Sequence, residues 1–277
     1  MCTVPLIKAV CRESYNSPIA VYDKLKRLGM DLVTVTDHDA IDAVEPLRSK
    51  PDFFLSEEVT CRMPSGTELH MGVYDITERQ HVEIQRRRAD LEALVQYLRE
   101  QRLVFSANHI FSSLTGRRTL SDFEYFEQAI PLLETRNGHM QERTNRQAGE
   151  LAQQMGKGVM GGSDAHTMPS VGSAYTEVSG ARSKSEFLEG LRQGNAVAHG
   201  TCGSYWKLTR DVLLIAAEMV RENPAAAALA PLVLAVPFVT LGNSILEAVF
   251  ARRWMRKLRR AEAGKQWLPK LAREAAI

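Results

Sequence analysis

The chain has 277 residues, of which 44% are hydrophobic and 25% charged, the composition of a soluble globular protein with a real core. A formal net charge of +2 gives the chain as a whole no nucleic-acid signature. Its four cysteines, Cys2, Cys11, Cys61 and Cys202, are scattered, with no C-x-x-C pair, and the N-terminus shows no basic leader followed by a long apolar run. Both features predict reduced thiols and a cytoplasmic protein.

In chain order, "SPIAVYDKLKRLG" (17–29) predicts a helix, with Ser17 as N-cap, Pro18 in the first turn and Gly29 just past the end. Leu32 to Thr36 predicts a buried strand that runs straight into Asp37, His38 and Asp39. Further strands are expected over 53–60 and 68–76, then one long polar helix over about 80–101 and a strand over 103–108. Helices near 121–128 and 141–154 enclose a strand over 132–137; strands 158–164 and 174–178, the helix "SKSEFLEGLRQG" and strand 196–199 complete the series. Strands alternating with helices imply a parallel sheet, and about seven strands in about 200 residues suit an α/β barrel better than an open doubly wound sheet.

After residue 203 the character changes, which divides the chain into a barrel domain over 1–203 and a helical appendage over 204–277. "SYWKLTRDVLLIAAEMVREN" reads as an amphipathic helix, and residues 223–246 are 24 uncharged residues containing Pro224, Pro231 and Pro237. From Trp206 onward there are 12 Lys/Arg against 6 Asp/Glu, the excess lying in "RRWMRKLRR" (252–260), so the preceding part is net acidic.

The polar groups fall at or just past the C-terminal ends of the expected strands: His38; Glu57 and Glu58; His70; Asn108 and His109; Glu134 and Asn137; Asp164 and His166. In parallel α/β barrels the loops at that rim converge on one cavity. Four histidines with two or three carboxylates suit divalent metals such as Zn, Mn or Fe. Strand alternation sends Glu57 to the face opposite Glu58, toward solvent. Asp37 and Asp39 also fit a turn-capping role. His81 and His199 read as surface or satisfied core residues, while His139, in "NGHM", lies nearer the rim.

The segments "VTVTDHD", "LSEEVT", "ELHMGVYD", "ANHIF", "ETRNG" and "GGSDAH" resemble, in order, the motifs of the PHP (polymerase and histidinol phosphatase) family of metal-dependent phosphoesterases, over about residues 17–200. The resemblance implies a distorted (β/α)7-type barrel holding two or three metals. It implies His38, Glu58, His70, His109, Asp164 and His166 as metal ligands, with Glu58, His109 and Asp164 central to catalysis. Glu58 would bridge metals and complete one site with His70 and His109, while His38 and His166 would serve another. Asp37, Asp39, Glu134 and Asn137 would orient ligands, and Arg117 and Arg118 would bind a substrate phosphate, a solvated loop being the alternative reading for that pair.

This chain departs from the family pattern. The D-x-H-x-H of the family's first strand is missing, no His or Asp precedes Asp23, and Ile110 stands where the family has Pro. Either the start lies upstream or the chain is a non-catalytic metal-binding relative; the intact later motifs favour the former. The expected activity is phosphomonoester hydrolysis by metal-activated hydroxide on a small phosphorylated substrate. Nucleic acid is a less favoured partner because the barrel is net acidic. A C–N-cleaving amidohydrolase-like barrel would have its own early H-x-H and a strand-end Lys. The apolar stretch and basic tail make a membrane surface the further expected partner, with the protein peripheral on the inner face; a helical hairpin packed on the barrel, or an oligomer contact, is the alternative.

Overall fold

A computed structural model of the chain describes Arg12 and residues 14–266. Cys2, Cys11, the first residues of the expected barrel and the last of the appendage lie outside the described residues. The main sheet has five strands in the order β1 (Ser56–Arg62), β2 (Glu68–Tyr74), β3 (Val104–Ala107), β4 (Leu132–Asn137) and β5 (Gly158–Gly162). Two further strands, β6 (Ala174–Val178) and β7 (Ala196–Gly200), form an antiparallel pair beside β5. There the Thr176 hydroxyl accepts from Gly161 N and donates to Gly161 O, both at 2.9 Å.

The all-parallel expectation fails in the first half of the sheet. β1 and β2, and β2 and β3, pair antiparallel, and only β3, β4 and β5 run parallel. The link between β1 and β2 spans only Met63 to Thr67, too short for a parallel crossover, and Gly66 takes its positive φ of 82° in the turn. The expected strand 32–36 is not a regular strand either. It touches the sheet at two isolated parallel bridges, Val33 with Phe53 and His38 with Glu58, and no strand among the described residues pairs with its other edge.

Helix α1 (Pro18–Arg27) starts and ends as the capping residues predict. The single polar helix expected over 80–101 is two, α2 (Glu78–Arg87) and α3 (Leu91–Glu100). Asp90 begins the second: its carboxylate accepts from Ala93 N at 3.1 Å, an N-cap that competes with continuation of the first. Helices α4 (Leu120–Ala129), α5 (Glu142–Gln154) and α6 (Lys184–Arg192) follow the pattern.

The appendage is α7 (Tyr205–Glu222), a 3₁₀ segment (Pro224–Ala235) and the long α8 (Val236–Gln266). The basic tail is not separate from the apolar stretch; one helix carries both. Its Ala251, Trp254, Met255 and Leu258 enter the main core beside Phe123 and Phe126, with the Trp254 ring 5.2 Å from that of Phe123. The appendage thus shares the main hydrophobic core.

Candidate metal centre

Strand β1 and its neighbours bring four of the six expected ligands together. His38 Nε2 lies 3.6 Å from Glu58 Oε2, and His70 Nδ1 lies 3.6 Å from Glu58 Oε1. One donor atom from each of His38, Glu58 and His70 fits within 4.8 Å of the others. His109 joins them, with Nε2 2.9 Å from His70 Nδ1 and Nδ1 3.9 Å from Glu58 Oε1. The alternation along β1 and β2 explains the grouping: Glu58 and His70 share the face toward which the parallel bridge at His38 also turns.

Asp164 and His166 form a second group, His166 Nδ1 standing 3.7 Å from Asp164 Oδ1. Asn137 connects the groups: its amide donates to Glu134 Oε2 at 3.0 Å and to Asp164 Oδ2 at 3.1 Å, while its carbonyl oxygen accepts from the backbone of His139 and Met140. Glu134 in turn accepts from His109 N at 2.8 Å. His109 and Asp164 have φ of 30° and 46°, left-handed backbone that costs a non-glycine residue about 1–3 kcal/mol and recurs where geometry serves a site. His38, Glu58, His109, Asp164 and His166 face a cavity of about 1310 Å³ between residues 29–38 and the β5–β6–α6 side.

The electrostatics suit a cation. Burial pushes the Glu58 carboxyl above its ordinary range, opposed by His109 and His38. Burial, reinforced by His109 and His38, pushes His70 down to about 2 and keeps it neutral, the form that binds metal. Burial opposes protonation of His109, but Glu134 and Glu58 outweigh it and hold the imidazole up at about 9. Asp164 stays below the usual carboxylate range because His166, His109 and His139 outweigh its burial. The buried His109 Nδ1 lies 3.4 Å from Glu134 Oε2 without completing a hydrogen bond, and once the imidazole is deprotonated a metal could take the place of its proton. The mixed imidazole and carboxylate donors fit Zn, Mn or Fe.

The remaining expected residues have other placements. Asp39 turns away, accepting from Thr60 N at 2.9 Å and pairing with Arg88, and so ties its loop to β1. Asp37 lines the cavity, and its carbonyl accepts from Glu58 N at 3.1 Å. Arg118 is 3% exposed and its guanidinium is used internally, donating to Ile110 O, Glu68 O and Thr115 Oγ1. Arg117 lines a separate cavity of about 320 Å³ beside Arg62 and Thr67. Neither arginine faces the large cavity, whose lining cations are Arg182 and Lys184.

Sequence reasoning missed one group here. Glu68 accepts from His70 Nε2 at 3.0 Å and turns Nδ1 toward Glu58, the carboxylate–imidazole arrangement that orients metal-binding histidines. Its i, i+2 spacing from His70 on one strand face was the available signal. Asn108 donates to Glu58 Oε1 at 3.0 Å.

A family model described as PHP-associated matches residues 142–196, the stretch that carries Asp164 and His166. Among solved structures, the chain is similar to a two-domain protein containing a predicted PHP-like metal-dependent phosphoesterase from Bacteroides vulgatus, at 17% identity and a TM-score of 0.55, with 69% of this chain and 62% of that one covered. It thus spans less than two thirds of that relative's length. It is also similar to PsfC from Pseudomonas syringae, at 17% identity and a TM-score of 0.54, with 75% of this chain and 93% of that one covered. No curated protein matches the sequence. At these identities the structural likeness is one of fold. The PHP resemblance carried by the motifs is met independently by the family model and by that shared fold.

Proposed function

We propose that the chain is a metal-dependent phosphoesterase acting on a small phosphomonoester. The observation that carries this reading is the convergence of His38, Glu58, His70 and His109 within one cavity wall, with Asp164 and His166 on the same cavity. Divalent cations there would neutralise charge on phosphoryl oxygens and activate a water for in-line attack. Glu58, His70 and His109 would hold one cation, and His38 and His166 would serve another. Glu68 and Asn108 fix the orientation of His70 and Glu58. Arg182 and Lys184, rather than Arg117 and Arg118, line the large cavity and would meet a substrate's negative charge there, Lys184 while also pairing with Asp75 at 2.8 Å. The two sheets, with 32–36 as an irregular extended segment beside them, would form the wall of a distorted (β/α)7-type barrel.

Elemental analysis and hydrolysis of an aryl phosphate by the full chain test the reading. The wild type should retain metal and turn over, and His109→Ala should lose both. Equal metal and equal turnover in the two would sink it. A second reading, a metal-binding relative without turnover, is favoured by the irregular course of 32–36, which meets its neighbours at isolated bridges rather than in a ladder; metal retained with no hydrolysis would select it.

For the appendage we propose a membrane surface as partner. Pro224–Ala261 is long and apolar enough to cross a bilayer, but Trp254, Met255 and Leu258 are committed to the core, which favours lying on the surface.

A further inference from the structure

The loop between β3 and α4, residues 108–119, carries His109 and holds it in left-handed backbone. Inside that loop lies a charge with no opposite charge paired to it. Arg118 is 3% exposed and forms no ion pair with any described carboxylate. Asp122 and Glu68 lie near enough to favour its charge, but Asp122 accepts from Thr119 N at 2.8 Å and Glu68 from His70 Nε2 at 3.0 Å. Burial accordingly pulls the guanidinium down to about 10. A buried charge held only by neutral acceptors is costly, and well-packed apolar side chains often replace such groups without loss of stability. What arginine supplies and an apolar residue cannot is a rigid planar fork of N–H donors.

The fork joins the two arms of the candidate metal centre. Nη1 donates to Glu68 O at 2.8 Å and Nε to Ile110 O at 3.3 Å. Nη2 donates at 3.1 Å to Thr115 Oγ1, which itself donates to Ser112 O at 3.1 Å, and Ser112 N donates to His109 O at 2.7 Å. Ile110 follows His109 directly in the chain, and Glu68 is the residue whose carboxylate orients His70. One guanidinium therefore ties the backbone beside His109 to the backbone of the residue that aims His70. Its Cζ stands 5.5 Å from the centre of the Phe126 ring on α4, which supports the fork from a third side. Glu68 N donates to Thr115 O at 3.0 Å and Thr67 Oγ1 to Arg117 O at 2.6 Å, so β2 and the loop are laced at the same joint. Across it His70 Nδ1 and His109 Nε2 stand 2.9 Å apart. Metal–imidazole bonds of about 2.0–2.1 Å leave little tolerance for a shift between those arms.

We propose that Arg118 is a positioning residue of the metal centre: by holding the carbonyls of Glu68 and Ile110 on one guanidinium, it sets the separation of the His70 and His109 imidazoles. It acts through those two residues and touches neither metal nor substrate. The inference rests on reading the His38–Glu58–His70–His109 cluster as the metal centre of the proposed phosphoesterase.

The test measures Zn²⁺ and Mn²⁺ affinity by calorimetric titration, and the visible absorption of the Co²⁺-loaded protein, on the full chain and on Arg118→Met, Arg118→Lys, Trp254→Ala and His109→Ala. Circular dichroism checks the fold of each. Arg118→Met should bind metal about 10–100-fold more weakly, with a displaced Co²⁺ band. Arg118→Lys keeps the charge but cannot reach both carbonyls at once, so it should fall between Arg118→Met and wild type; it decides alone if the Met variant does not fold. Trp254→Ala loosens the same core from α8, and should melt lower than wild type while keeping its affinity and its band. Equal weakening in Trp254→Ala would overturn the inference, because it would mark lost stability rather than lost position. If the Arg118 variants match wild type in affinity and band while His109→Ala loses metal, the inference falls and the metal-centre reading stands. A wild type that binds no metal overturns both. Every readout is metal binding, so the result decides the inference whether or not the chain hydrolyses an ester.

Discussion

Glu57 and Glu58 are neighbours with opposite environments. Strand alternation sends Glu58 into the cavity wall, and it sends Glu57 to the other face, where solvent was expected. Helix α2 covers that face instead: Glu57 is fully buried, 2.9 Å from His81 Nδ1 and 2.7 Å from Gln85 Nε2. Only tertiary packing reveals this, because nothing in "LSEEVT" says that a helix will cover its outer side. His81→Ala should therefore leave metal content unchanged while costing about 1–3 kcal/mol in urea unfolding, since it strips a donor from a buried carboxylate. Asp52 supplies a pH prediction. It accepts from the Tyr22 hydroxyl and lies 2.5 Å from Lys26 Nζ, and these bonds, led by Lys26, hold its carboxyl below the usual range. A depressed folded value means the contribution is present above the unfolded pKa, near 4, and is lost as pH falls through the folded one. Melting curves of Asp52→Asn should lie slightly below wild type at pH 7, by roughly 1 kcal/mol or less for so exposed a pair, and converge with it in acid.

Among the elements, those with both a period and an end signal were legible. Helix α1 has its proline and glycine, and β4 and β6 match their apolar runs. His38 and His109 stood out as candidates because each follows a short apolar run, whereas His70 lies inside β2. Strand direction was not, because β1 and β2 are buried and read the same whether parallel or antiparallel; the short Met63–Thr67 link was the discriminating feature. Residues 223–246 showed composition without period, which hid the inward stripe that becomes clear only when 236–266 is taken as one helix. That stripe carries the second prediction at this scale. Trp254 is 5% exposed against Phe123 and Phe250, so Trp254→Ala should cost about 3–5 kcal/mol, read from denaturant midpoints. A chain cut at residue 203 should fail to melt cooperatively, because it exposes the core surface that α8 covers.

For the molecule as a whole, the appendage has two faces. One seals the core, and the other exposes Leu234 at 79% in the 3₁₀ segment and Phe238 at 76% in α8, with Arg252, Arg253, Arg256 and Arg259 exposed farther along α8. Exposed apolar groups and a basic stretch on one helix are the features of interfacial attachment to anionic lipid. The full chain should float with phosphatidylserine vesicles, less so in high salt, and Leu234→Asp with Phe238→Asp should abolish flotation without changing bound metal; flotation unaffected by the pair would remove the membrane proposal. The inner face bears on the order of assembly. Gln141 meets Ser244 across 103 residues of chain, and Glu150 meets Arg259 across 109. Contacts so distant in sequence form late and slow the search for the native state. During synthesis the sheet and its first helices would emerge with their apolar side open, and the core would close only when the final helix left the ribosome.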